Sequence, residues 1–166
     1  MKEKKVTLSQ IVVAHVPTIL KTSELGSCIA ITLFDKQKKI GALGHILLPH
    51  EDTGNKKTLS NSGKFADSAI KKMVTKMQKA GCDLKQIRAK IIGGAMFFRS
   101  SGTADKNPEN ASIGRENVKT AKIILKQFGI PVIALDVGGD FGRRIEFDTD
   151  TGKVIVVTTK NGRKEI

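Results

Sequence analysis

The sequence has no tryptophan and no tyrosine, and its seven phenylalanines do not interleave with arginine as on a base-stacking platform. Helix-turn-helix, zinc-finger and RRM signatures are also missing, so no nucleic-acid partner is expected. Cysteine is scarce. Cys28 and Cys82 are too few for a disulfide framework, and without an export signal both are expected as reduced thiols. No apolar run approaches the roughly 18 residues of a membrane span. The longest, 40–48 and 91–98, are strand-sized, so no membrane insertion is expected. The start, Met1-Lys2-Glu3-Lys4-Lys5, leads into a short strand-like run without a signal-peptide apolar region, which points to a cytoplasmic protein. Acidic residues are few: 16 against 29 lysines and arginines, for a net charge of +13. That charge favours acidic partners, but it is scattered along the chain as on a solvated basic surface.

What is present fits a globular chain. Its 166 residues, 39% hydrophobic and 27% charged, suit one domain that buries about two-thirds of its surface without a staple. Residues 9–16 read as a strand ending at Pro17. Residues 28–35 (CIAITLFD) and 40–48 (IGALGHILL) are β-rich runs joined by the polar loop 36–39, a hairpin pattern. Residues 51–61 read as a polar loop. Phe65, Ala69, Ile70, Met73, Val74, Met77 and Ala80 then recur at helical spacing, with Gly81 as the stop. A buried strand follows over 89–95, ending in a glycine pair. Residues 99–110 read as an exposed loop, and Ser112 as the cap of a second helix carrying Val118, Ala121, Ile124, Leu125 and Phe128. Gly129 and Pro131 end that helix, and strands are expected over 131–137, 144–148 and 153–159. The pattern predicts an α+β fold, a single-domain sandwich of mostly antiparallel or mixed sheet covered by two main helices. The domain spans 1–166, with 1–8 and 160–166 as loose termini.

Cys28 and His45 stand out chemically. Cys28 ends Thr22-Ser23-Glu24-Leu25-Gly26-Ser27-Cys28, where a loop turns into a strand. Gly26 can take a positive φ there and so present the next N–H groups to one point. A nucleophile at such an elbow sits beside donors able to hold an oxyanion. His45 lies on the next strand, and an imidazole facing the thiol helps populate the thiolate. A cysteine opening an apolar strand is nonetheless more often a small core residue, and a lone histidine more often an interior hydrogen-bonder. Cys82 and His15 have no evident partners and read as structural. A zinc site from Cys28, Cys82, His45 and His50 lacks a paired Cys-x-x-Cys. Ser27, Ser100 or Ser101 as a nucleophile lacks the G-x-S-x-G elbow.

The blocks Leu25-Gly26-Ser27-Cys28-Ile29-Ala30 and Gly41-Ala42-Leu43-Gly44-His45-Ile46-Leu47-Leu48-Pro49 resemble the signature of the CheD family, the bacterial chemoreceptor glutamine deamidases. The likeness continues through Gly63-Lys64-Phe65-Ala66-Asp67, Gly93-Gly94-Ala95-Met96-Phe97 and Ile113-Gly114-Arg115-Glu116-Asn117-Val118. It ends in Gly138-Gly139-Asp140-Phe141-Gly142-Arg143-Arg144 and Thr151-Gly152-Lys153-Val154, collinear over about 22–157. The resemblance implies a cysteine hydrolase, a protein-glutamine glutaminase, that converts receptor glutamines to glutamate. It makes Cys28 the nucleophile, His45 the base and acid, and Thr22 the residue that orients the imidazole. Backbone N–H groups near Gly26, Ser27 and Cys28 would hold the oxyanion. It also implies a sandwich related to a deamidating toxin, no metal or organic cofactor, and pairing with a CheC-type phosphatase. Where family members carry an apolar residue and a glycine, this chain has Ser23-Glu24, and Glu24 is expected to raise the Cys28 pKa. The rival expectation is a non-catalytic regulatory partner of the phosphatase.

Overall fold

Residues 29–35 and 40–46 are apolar at almost every position, which is what strands covered on both faces require. The computed structural model of the chain describes residues 1–51, 63–96 and 108–166, and it places these two runs at the centre of the fold. The strands are β1 (Lys2–Lys5), β2 (Ile11–His15), β3 (Thr18–Leu25), β4 (Ile29–Asp35), β5 (Ile40–Ile46), β6 (Ile87–Gly93), β7 (Val132–Val137), β8 (Arg143–Asp148), β9 (Val154–Thr158) and β10 (Gly162–Glu165). The helices are α1 (Ala66–Lys79) and α2 (Pro108–Gln127). One sheet has the order β1-β3-β8-β9-β10 and the other β2-β5-β4-β6-β7. Both are mixed, with β1 parallel to β3 and β6 parallel to β7. The α+β sandwich is as expected.

Three layers result. Ile29, Ile31, Leu33, Ile40, Ala42 and Ile46 face the helices and pack on Ala69, Ile70, Met73, Ala121 and Leu125. The opposite faces of β4 and β5, with Ala30 and Leu43, pack on Leu20, Leu25, Ile145 and Phe147 of the other sheet. All seven residues of β5 are buried. The β4–β5 hairpin forms as expected, and the Asp35 carboxylate caps its turn by accepting the N–H groups of Gln37 and Lys38. A second tie between the sheets is the buried Arg143, which donates to Asp136 on β7 and to the Gly138 carbonyl.

Several expectations are corrected. The termini are not loose: β1 pairs with β3, and β10 pairs with β9, because each supplies an edge ladder. β3 was not foreseen, since its polar residues interrupt the apolar pattern. α2 begins at Pro108, a residue suited to a first helical turn, so Ser112 lies inside the helix and 108–110 are not loop. The expected loop at 52–61 and the stretch 99–107, with Ser100 and Ser101, lie outside the described residues. Among the described residues no helix is long and apolar enough to cross a membrane.

Gly93 and Gly114 set the closest approaches. Gly93 has φ +110°, and a Cβ there would overlap the Cys28 carbonyl. A Cβ on Gly114 would lie 2.6 Å from the Gly94 carbonyl, so α2 touches the end of β6 backbone to backbone. Gly93→Ala is expected to combine a positive-φ penalty with this overlap, together at least about 2 kcal/mol. That corresponds to a Tm lower by about 4–8 °C in thermal unfolding.

Candidate active site

The alternation of β5 turns Leu43 and His45 toward the other sheet, while Ala42 and Ile46 face the helices. Register places His45 opposite Ala30 on β4. Cys28, two residues before Ala30, packs in the same inter-sheet cluster as Ala30 and Leu43. Cys28 and His45 therefore share one face. From the opposite layer, Thr22 of β3 reaches His45 through a 2.8 Å hydrogen bond between Oγ1 and Nδ1. All three are nearly closed to solvent, with 9% of Cys28, 3% of His45 and 3% of Thr22 exposed.

The other imidazole nitrogen is free. His45 Nε2 is buried and has no hydrogen-bond partner among the described residues, so it is not bonded to the Cys28 sulfur in this resting arrangement. In the tautomer that carries its proton on Nδ1 and donates it to the Thr22 oxygen, Nε2 has a bare lone pair on the face it shares with Cys28. Burial pushes the Cys28 thiol above its ordinary pKa, and its own backbone N–H partly offsets this. Burial pulls His45 below its ordinary value, and the Glu24 carboxylate partly restores it. Both shifts favour a neutral thiol beside a neutral imidazole over a standing ion pair. The charge of Glu24 thus acts on the histidine, contrary to the expectation that it would raise Cys28.

The turn before the nucleophile also differs from expectation. Its left-handed residue is Glu24, at φ +61°, rather than Gly26. The β3–β8 register shifts between Thr22 and Leu25, and this bulge lets both residues point inward while Glu24 stays exposed. Gly26 donates its N–H to the Glu24 carbonyl at 3.2 Å, closing the turn. Three successive carbonyls are then held: Gly26 by the Ala95 N–H at 2.9 Å, Ser27 by Asn117 Nδ2 at 2.9 Å, and Cys28 by the Gly94 N–H at 2.9 Å. The N–H groups of Ser27 and Cys28 donate to no carbonyl among the described residues. With the Gly26 N–H committed to the turn, Ser27 and Cys28 carry the backbone donors of this segment that no described carbonyl takes.

Asn117 was not singled out in the sequence. It is fully buried, and its Nδ2 also donates to the Leu47 carbonyl at 3.0 Å. A signal was there: Asn117 lies four, seven and eight residues before Ala121, Ile124 and Leu125, on the apolar stripe of α2. Its Oδ1 meets no donor among the described residues, a cost of about 1–3 kcal/mol that an apolar residue would avoid. The zinc alternative does not converge, because Cys82 packs in the helix-side core and Cys28 in the inter-sheet core. Cys82 lies beside Asp35, and burial followed by that carboxylate raises its pKa to about 11. Beside the nucleophile segment, Gly94, Met96, Val118 and Val137 line an apolar groove of about 500 Å³ edged by Arg115 and Lys119.

A family sequence model described as "CheD chemotactic sensory transduction" matches residues 47–158. The "Probable chemoreceptor glutamine deamidase CheD" of Clostridium botulinum is 45% identical over 166 residues, covering 100% of this chain and 99% of its own. The "Chemoreceptor glutamine deamidase CheD" of Halalkalibacterium halodurans is 35% identical over 162 residues, covering 98% and 97%. The matched family span begins beyond His45, while both relatives align over nearly the whole chain.

The pKa directions have measurable consequences. A histidine whose native pKa lies below about 6.5 binds fewer protons folded than unfolded between those values, so stability rises with pH there. The contribution of His45 is therefore complete above about pH 6.5 and lost as pH falls through its native pKa. Replacing Glu24 by Gln should lower the His45 midpoint further, as followed by an NMR titration of its ring proton assigned through His45→Gln. An unchanged midpoint would remove Glu24 as the source of the field.

Proposed function

The chain belongs to the CheD family, and from that premise we propose that it hydrolyses the side-chain amides of chemoreceptor glutamines to glutamate, in the cytoplasm, through a Cys28–His45 thiol mechanism. The observation that carries the mechanism is the 2.8 Å bond from Thr22 to His45 Nδ1, with Nε2 unpartnered on the face His45 shares with Cys28. Because burial keeps the pair neutral, the proton moves when substrate arrives rather than before. His45 Nε2 takes the Cys28 proton as sulfur attacks the carboxamide carbon. The Ser27 and Cys28 N–H groups receive the developing oxyanion. The C–N bond then breaks, the imidazolium of His45 returns its proton to the departing nitrogen, and ammonia leaves. Water, deprotonated by His45, attacks the thioester. The products are glutamate and the free thiol. Thr22 keeps the Nδ1–H tautomer that leaves Nε2 basic. The steps need no metal or organic cofactor.

The family resemblance also supports a CheC-type phosphatase as a partner, and binding that survives Cys28→Ala would separate that role from catalysis. The main test is incubation with a chemoreceptor cytoplasmic fragment and peptide mass spectrometry of glutamine-to-glutamate conversion. Conversion should vanish in Cys28→Ala and fall by at least about 100-fold in Cys28→Ser. Thr22→Val, which keeps shape but loses the hydroxyl, should lower kcat at least about tenfold, whereas Thr22→Ser should retain most of it. Conversion that persists in Cys28→Ala would end the thiol mechanism.

A further inference from the structure

Asn117 occupies a position that the apolar periodicity of α2 reserves for a hydrophobic side chain, and it is 0% exposed. Both protons of its Nδ2 are used, one on the Ser27 carbonyl at 2.9 Å and one on the Leu47 carbonyl at 3.0 Å. Those carbonyls belong to different strands' ends. Ser27 immediately precedes Cys28, and Leu47 lies two residues after His45. Two carbonyl acceptors also fix the amide orientation, since an oxygen in the Nδ2 place would meet two oxygens. From this juxtaposition we propose that Asn117 is a positioning residue, clamping Ser27 and Leu47 on one amide nitrogen so that Cys28 and His45 stay in mutual reach.

The clamp is supported around it. One helical turn earlier, Gly114 brings α2 against the Gly94 carbonyl, and Gly94 in turn donates to the Cys28 carbonyl. One turn later, Thr120 Oγ1 lies 3.3 Å from His50 Nε2, holding the segment that continues from Leu47. Leu47 also donates its N–H to the Lys64 carbonyl at 3.0 Å, so its carbonyl can be directed at α2 without loosening the chain. The side chain reaches the reacting pair only through the backbone. Its loss should therefore move the chemistry, not substrate docking.

The inference rests on Cys28 and His45 being nucleophile and base, and the experiment separates the two readings. Cys28 alkylation by iodoacetamide is measured at pH 7 in the whole protein, with and without His45→Gln, in wild-type, Asn117→Ser and Asn117→Leu backgrounds. Wild type should alkylate faster than His45→Gln. In Asn117→Leu that ratio should fall to about one, and Asn117→Ser, with a single donor, should lie between. With the receptor fragment, kcat of Asn117→Leu should fall about 100-fold, the scale of a roughly 1 Å misplacement, while KM stays within about twofold. Folding is checked by thermal unfolding, and if the leucine variant does not fold, Asn117→Ser alone decides. A wild-type ratio retained in a folded variant, or a kcat within about threefold, would overturn the clamp. A wild-type ratio of one would overturn it together with the catalytic pair. Wild type that converts no glutamine but keeps its ratio would sink the function while the alkylation result still judges Asn117.

Discussion

The fold turns on the double burial of the sheet that contains β4 and β5. One face is sealed by the helices and the other by the second sheet, so the side chains of Asp35 and His45 are shut away from water. Each must be answered across a layer or through its own turn. Asp35 is answered by its hairpin N–H groups, and His45 by Thr22 from the facing sheet. Elsewhere, Arg143 answers Asp136 across the two sheets, and at the edge of the β3–β8 ladder Thr149 bonds the backbone of Thr18. His45 differs from the rest in one respect. Only one of its two ring nitrogens is answered among the described residues, and the other is buried on the face of Cys28. A buried polar atom without a partner has a cost, and the proposed mechanism would put that atom to chemical use.

The same burial sets how the pair works. An exposed cysteine beside an imidazolium can rest as a reactive thiolate, open to any electrophile or oxidant. Here desolvation opposes charge on both partners, so the resting pair is neutral. Glu24 moderates this by favouring the protonated imidazole, the form the proposed mechanism would use to release ammonia. Its carboxylate stabilises the charge on His45 without being placed against the sulfur. A residue with φ +61° is strained relative to glycine, and the bulge it makes is what aligns both Thr22 and Leu25 with the core.

Much of this was legible in the residues. The β4–β5 hairpin and α1 followed from run length, the polar turn and helical spacing. The pairing of Cys28 with His45 on one face follows from two-residue alternation once the hairpin is granted. Thr22 was reached through family likeness and not through pattern, because β3 mixes threonine, lysine and serine with too few apolar residues to read as a strand. It is a strand because β1 and β8 pair with it, which is a non-local cause. The positive φ went to Glu24 instead of Gly26 for a similar reason: the bulge is dictated by the register with β8. Asn117 was visible as a polar residue on an apolar stripe, but the two carbonyls it bonds lie 70 and 90 residues away in sequence, beyond any local pattern.

The backbone leading into Cys28 shows how the layers combine. Between Gly26 and Cys28 every carbonyl is taken, by Ala95, Asn117 and Gly94, all from the β6–α2 side. The N–H groups of Ser27 and Cys28 are left without carbonyl partners among the described residues. A segment tied through its carbonyls has these N–H groups fixed in direction without a carbonyl consuming them, although the Cys28 N–H also acts on its own sulfur. The proposed oxyanion site would draw on this, because donors already oriented cost no reorganisation when charge develops. The glycine pair is what permits it, since any side chain at Gly93 would meet the Cys28 carbonyl before the ladder could close. Close backbone packing and available donors are therefore one property of this elbow: the tightness on the carbonyl side is what holds the N–H side ready.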